Sequence, residues 1–145
     1  WDGVRFRLLQ ARSTGEDGNA RSCVLQISAG TRSALLPGDI SKADESLLLG
    51  QLAPSEVVLA PHHGSRSSSS YAFIRRVSPE WVVFSAGFHN AFNHPHPQVV
   101  ERYRELGSEA IYTGGSGAVS CILSPVRPVV PEWRWRDAAR RFWHE

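Results

Sequence analysis

The sequence predicts one domain of the α/β (α+β) class, a sheet with helices packed on it, from three observations. The chain has 145 residues, 41% of them apolar, enough for a single core. Its apolar runs are short and rich in valine and isoleucine, as buried strands are. From residue 34 onward such runs alternate with loops and with segments of helical period.

The elements follow in order. Val4, Phe6 and Leu8 alternate with Arg5, Arg7 and Leu9, which reads as a strand with one wet face; "STGEDGNARS" is a loop and "CVLQIS" a second, antiparallel strand. A short strand "ALL" then meets "PGDIS". Ser41 caps a helix with Asp44 and Glu45 in its first turn, and its buried side is expected to include Ala43, Leu47 and Leu48. The pattern repeats: strand "EVVLA", loop "PHHGSRSSSS", helix "YAFIRRV"; then strand "EWVVFSA", loop "GFHNAFNHPH", helix "PQVVERYREL". Pro97 suits the first helical position and Gly107 the stop. Two weaker strands, "AIYT" and "AVSCIL", are expected to form a hairpin about "GGSG". Residues 1–125 are read as the domain. Residues 126–145 form an extension in which prolines precede Trp133, Trp135 and Trp143 among arginines, a segment expected to dock on the domain's flank.

Composition bounds function only loosely. Net charge is +2, and Lys42 is the only lysine beside fifteen arginines; arginine forks suit phosphate and carboxylate, and an arginine-rich codon usage gives the same bias. Cys23 and Cys121 lie far apart and make no C-x-x-C motif, so free buried thiols are expected, with a single disulfide as the alternative. No apolar run approaches the roughly 20 residues that cross a bilayer, and no basic-then-apolar leader opens the chain, so it is expected to be soluble.

The chemistry gathers where strands end. In an open α/β sheet, ligands bind outside the carboxyl ends of the strands. Three such loops carry Asp39 in "LLPGDIS", His62 and His63 in "APHHGS", and His94 and His96 in "NHPHP". Carboxylate oxygen and imidazole nitrogen are donors that zinc and manganese accept. Each residue also has an ordinary reading: Gly-Asp as a turn, Pro95 and Pro97 as a lead into a helix, the four serines Ser67 to Ser70 as a polar loop capping the next helix. Two adjacent histidines framed by Pro61 and Gly64 at the end of a buried strand are the least ordinary feature.

In order and spacing, "GNARSCVLQI", "LLPGDIS", "VVLAPHHGSRSSSS", "VVFSAG" with "FNHPHP", and "IYTGGSGAVS" resemble the C-terminal metallo-β-lactamase-like domain of the ComEC competence proteins, inner-membrane channels for DNA uptake. The resemblance covers about residues 4 to 123. It implies an αββα sandwich, with only its C-terminal half in this chain. It further implies a metal-dependent nuclease that degrades the strand of incoming DNA that is not transported. Two manganese or zinc ions are expected in the complete domain, with Asp39 as the bridging ligand and either His94 or the pair His62 and His63 as the later histidine ligand, and with Asp39, His63 and His62 in catalysis. Ser65, Arg66, Ser67 and Asn19 would contact substrate. The implied partners are single-stranded DNA, the rest of the domain and the membrane channel, on the periplasmic or extracellular side of the inner membrane.

One departure weighs on that reading. The superfamily's upstream motif, H-x-H-x-D-H or its variant, is not formed by any of the six histidines. The chain alone is therefore expected to hold an incomplete site and to self-associate through uncovered sheet edges. The alternatives are a non-catalytic DNA-binding or structural domain of the same channel, and a metallo-hydrolase of another ester or amide substrate.

Overall fold

A computed structural model describes residues 2–11 and 22–134. Strands β1 (Val4–Gln10), β2 (Cys23–Ala29) and β3 (Arg32–Leu36) form an antiparallel meander. The sheet then turns parallel through β4 (Val57–Leu59), β5 (Trp81–Phe84) and β6 (Glu109–Tyr112), so its strand order is the chain order. Helices α1 (Lys42–Leu48), α2 (Tyr71–Val77) and α3 (Pro97–Glu105) make the three crossovers. After α4 (Thr113–Ser116), β7 (Val119–Cys121) and β8 (Pro131–Arg134) pair as a separate antiparallel ribbon.

The pleat divides the core in two. Val58, Val82 and Phe84 face Leu48, Phe73, Ile74, Val77, Val99 and Tyr103, so the three crossover helices share one face. Phe84 and Tyr103 meet edge to face, ring centroids 5.8 Å apart, a contact worth about 0.5–1.5 kcal/mol beyond its buried area. Val57, Val83 and Ile111 point the other way and are covered by Val129 with flanking Val119, Cys121 and Leu123. A mixed sheet with helices on one side agrees with the α+β class.

Several expectations need correction. Register places Leu9 beside Val24 on the helix side, which leaves Phe6 and Leu8 on the opposite face, 56% and 72% exposed. Val119 and Cys121 of β7 pack against residues of β3 to β6, and neither Phe6 nor Leu8 belongs to that cluster. In α1 the buried positions are Asp44, Glu45 and Leu48, while Ala43 is exposed and Leu47 stands out in solvent. No hairpin forms at "GGSG": Gly114 to Ser116 lie in α4, Gly117 caps its end, and the strands on either side belong to different sheets. Cys23 and Cys121 are free thiols, and Cys23 is exposed rather than buried. Burial raises the pKa of Cys121.

Glu45 explains the rotation of α1. Its carboxylate accepts the backbone N–H groups of Ser69 at 2.5 Å and Ser70 at 2.8 Å, joining α1 to the loop before α2. Loss of water on burial raises its pKa, although those hydrogen bonds and Lys42 oppose the shift. A folded-state pKa above the unfolded value means that the folded chain binds more protons, so this group's contribution falls as pH rises past the ordinary carboxylate value of about 4.3. Glu45→Ala leaves buried donors unpaired and should lower unfolding free energy by about 2–5 kcal/mol in urea titrations. Glu45→Gln should lower it less and flatten its slope above about pH 4.

Candidate functional site

Parallel strands β3, β4 and β5 end at one edge, and backbone hydrogen bonds knit the three loops that leave them. The His62 N–H donates to the Gly38 carbonyl at 3.0 Å, and the His96 N–H donates to the Gly64 carbonyl at 2.9 Å. Ser41 caps α1 in a reciprocal box with Asp44, fixing the loop that bears Asp39. Asp39, His62, His63 and His94 are thereby brought to the same edge.

The turn after β4 is strained. His62 (φ 49, ψ 45), His63 (φ 57, ψ 18) and Gly64 (φ 85) are three successive residues at positive φ. The two histidines cost roughly 1–3 kcal/mol each in this conformation, strain of a kind that clusters at functional sites. Gly64 holds the turn together because a Cβ there would lie 2.6 Å from Pro95 Cβ and 2.7 Å from Phe84 Cδ1. Only glycine allows loops two and three to meet so closely.

The imidazoles form a cluster. The His62 ring centroid lies 6.4 Å from that of His63 and 6.0 Å from that of His94. His63 Nδ1 is 2.8 Å from the Ser85 carbonyl oxygen, which can only accept, so Nδ1 carries the proton. In neutral His63 the lone pair is then on Nε2, 3.8 Å from Asp39 Oδ1. Such an outer hydrogen bond is how a protein orients a histidine for a ligand. His94 differs: its Nδ1 is buried without a hydrogen-bond partner. Burial first, then repulsion from His62, His63 and His96, lowers its pKa and disfavours the charged ring.

His96, a candidate ligand by sequence, caps α3 instead: its Nδ1 accepts the Gln98 N–H at 3.3 Å. Of the candidate substrate contacts, Ser65 and Ser67 share a hydroxyl hydrogen bond at 2.9 Å, and Arg66 is exposed beside them. Asn19 lies outside the described residues. The later serines are structural. Ser68 and Ser69 are fully buried, Ser68 donates to the Ile40 carbonyl, and Ser70 caps α2.

Two cavities open beside the cluster, one of about 240 Å³ between His63, His94, Asn90 and Phe92, the other of about 540 Å³ bounded by Phe84, Phe88, His94 and Tyr112. Phe88, Asn90 and Phe92, in the same loop as His94, were not among the residues the sequence singled out; the density of aromatic and amide side chains in "GFHNAFN" is the signal that marks them. For a metal, the donor types fit but the set does not close. Among the described residues no group of three or more His, Cys, Asp or Glu side chains could hold an ion.

No family model matches the chain. Among curated proteins it is 40% identical over 123 residues to "Competence protein ComA" of Neisseria gonorrhoeae, covering 82% of this chain and 18% of that protein. It is 33% identical to "Recombination protein 2" of Haemophilus influenzae, over 82% of this chain and 15% of the relative. It is 32% identical to "Uncharacterized protein YcaI" of Escherichia coli, over 92% and 19%. The chain spans less than a fifth of the length of these relatives. Among the described residues no helix is long and apolar enough to cross a membrane.

The close approach at Gly64 is directly testable. Gly64→Ala should cost about 2–4 kcal/mol in chemical denaturation, from overpacking against Phe84 and Pro95 added to left-handed strain. Gly115→Ala, where a Cβ meets nothing within 4 Å, should be near neutral.

Proposed function

This chain is homologous to one segment of a competence-related family of proteins, and on that premise we propose that it serves DNA uptake in natural transformation as part of a phosphodiesterase acting on the strand that is not transported. The observation that carries the reading is the convergence of Asp39, His62, His63 and His94 on one sheet edge, with His62 and His63 held at positive φ in successive positions. The larger protein would be an inner-membrane channel with this segment on its periplasmic or extracellular side, and single-stranded DNA would be the substrate.

These side chains can do the following by themselves. The Nε2 lone pair of His63, set by the Ser85 carbonyl, accepts a proton from an attacking water or, once protonated, gives it to the leaving oxygen. Asp39 stands where it would pair with that protonated ring. Arg66 and the hydroxyls of Ser65 and Ser67 suit the phosphate backbone. His94, whose burial disfavours the charged ring, offers a buried ring nitrogen without a hydrogen-bond partner. Since the described residues do not close a metal set, manganese or zinc enters the reading only with donors from elsewhere in the protein. The same observation favours a second reading, a non-catalytic DNA-binding domain of the channel.

Metal binding and cleavage separate the two. Calorimetry with manganese and zinc should show binding to the full-length parent and little to this chain alone. Asp39→Ala and His63→Ala in the parent should each reduce cleavage of labelled single-stranded DNA by about 100-fold or more. A parent that cuts no DNA under any metal, or variants that cut as fast as the wild type, would remove the enzymatic reading.

A further inference from the structure

The loop between β5 and α3 displays two phenylalanines for which the core has no use. Phe88 and Phe92 are 71% and 79% exposed, among the most exposed large apolar side chains of the described residues. The loop that carries them is tied down. Asn90 Nδ2 donates to the Gly87 carbonyl at 3.1 Å and to the His94 carbonyl at 2.6 Å, while Asn90 Oδ1 accepts the His94 N–H at 2.9 Å. One side chain thus staples residues 87 to 94 into a closed arch.

A second tie comes from the other side. Gly114 packs so closely that a Cβ there would lie 3.2 Å from the Ala86 carbonyl oxygen and 3.3 Å from the Phe88 nitrogen. Thr113 donates its hydroxyl hydrogen to the Ala86 carbonyl at 3.2 Å, or to that of Phe84 at 3.3 Å. Within this frame His89 and Asn93 take positive φ, both 52°. Both phenylalanines are therefore held outward by fixed backbone.

Their neighbours say what they face. The Phe92 ring lies nearly parallel to the His94 ring, centroids 5.8 Å apart at 22°, and lines the smaller cavity together with His63 and His94. Phe88 borders the larger cavity, which also reaches His94. Two flat apolar faces thus adjoin the imidazole cluster with no acidic side chain among the residues lining either cavity.

We propose that Phe88 and Phe92 form a stacking platform for the unpaired bases of a single-stranded nucleic acid whose phosphate lies at the histidine cluster. The proposal rests on the phosphodiesterase reading for the position of that phosphate. Every base offers a π-face, so a platform of this kind accepts strands of any sequence, and stacking contributes about 1–3 kcal/mol per base. Paired bases are stacked on one another and present no free face.

The test compares binding by this chain, at low salt, of fluorescently labelled oligothymidylate and of an abasic oligonucleotide of equal length. Phe88→Ala and Phe92→Ala should each weaken oligothymidylate binding by about tenfold, leave abasic binding unchanged, and regain affinity as Phe88→Trp and Phe92→Trp. Equal affinity of the wild type for both oligomers, alanine variants that bind like the wild type, or no binding of oligothymidylate would overturn the platform. So would adsorption to anionic lipid vesicles, without oligonucleotide binding, that the alanine variants lose; the loop would then be a membrane-contact element. Phenylalanine-dependent binding in a protein whose parent cuts no DNA would keep the platform and overturn the phosphodiesterase reading alone.

Discussion

The contact on which the site depends is the seating of Gly64 against Phe84 and Pro95. Phe84 ends a core strand and is fully buried, so it cannot move aside, and Pro95 precedes a helix fixed by its own cap. The space left between them admits backbone and nothing more. That single absence of a side chain lets the second loop lie against the third, and the hydrogen bond from His96 to Gly64 closes the junction. His62, His63 and His94 share an edge because this junction exists.

A second buttress acts from below. The serine-rich stretch after the histidines has the composition of a floppy linker, yet its middle is held from three directions. Glu45 accepts two of its amides, Arg102 donates to the carbonyls of Ser68 and Ser69, and Tyr103 donates its hydroxyl hydrogen to Ser69. A buried carboxylate and a buried tyrosine are costly to desolvate, and each is offset by hydrogen bonds into this stretch. Strain at His62 and His63 persists because the chain on either side of them cannot relax.

How much of this was legible in the sequence follows from the range of each interaction. Ser41, Ser70, Pro97 and Gly107 announce helix ends by local chemistry, and the structure has them in those roles. The alternation of strand and helix from residue 34 was legible for the same reason. The orientation of α1 was not, since a charged residue is read as facing water unless its distant partners, here the amides of Ser69 and Ser70, are known. The exposure of Phe6 and Leu8 was equally hidden: period two separates the faces of a strand without saying which face the neighbours cover. At the site, Asp39 and the histidine pair stood out by residue type. The resemblance favoured His94 over His96, while the capping role of His96 stayed hidden because capping against clustering is decided by a few ångströms of backbone placement. The role of Asn90 depended on a loop geometry that no period encodes.

The exposed thiol of Cys23 carries one further consequence. It opens β2 at the end of the sheet where Gly38 packs against Ser22 and the Cys23 carbonyl, so it stands on the same rim as Asp39. The other thiol, Cys121, is partly buried, its ionisation disfavoured by that burial, and the chain has no methionine. Alkylating reagents therefore meet one ready sulfur. A fluorophore attached there would sit on the rim that carries the Asp39 loop without any engineered cysteine, which makes the chain its own optical probe.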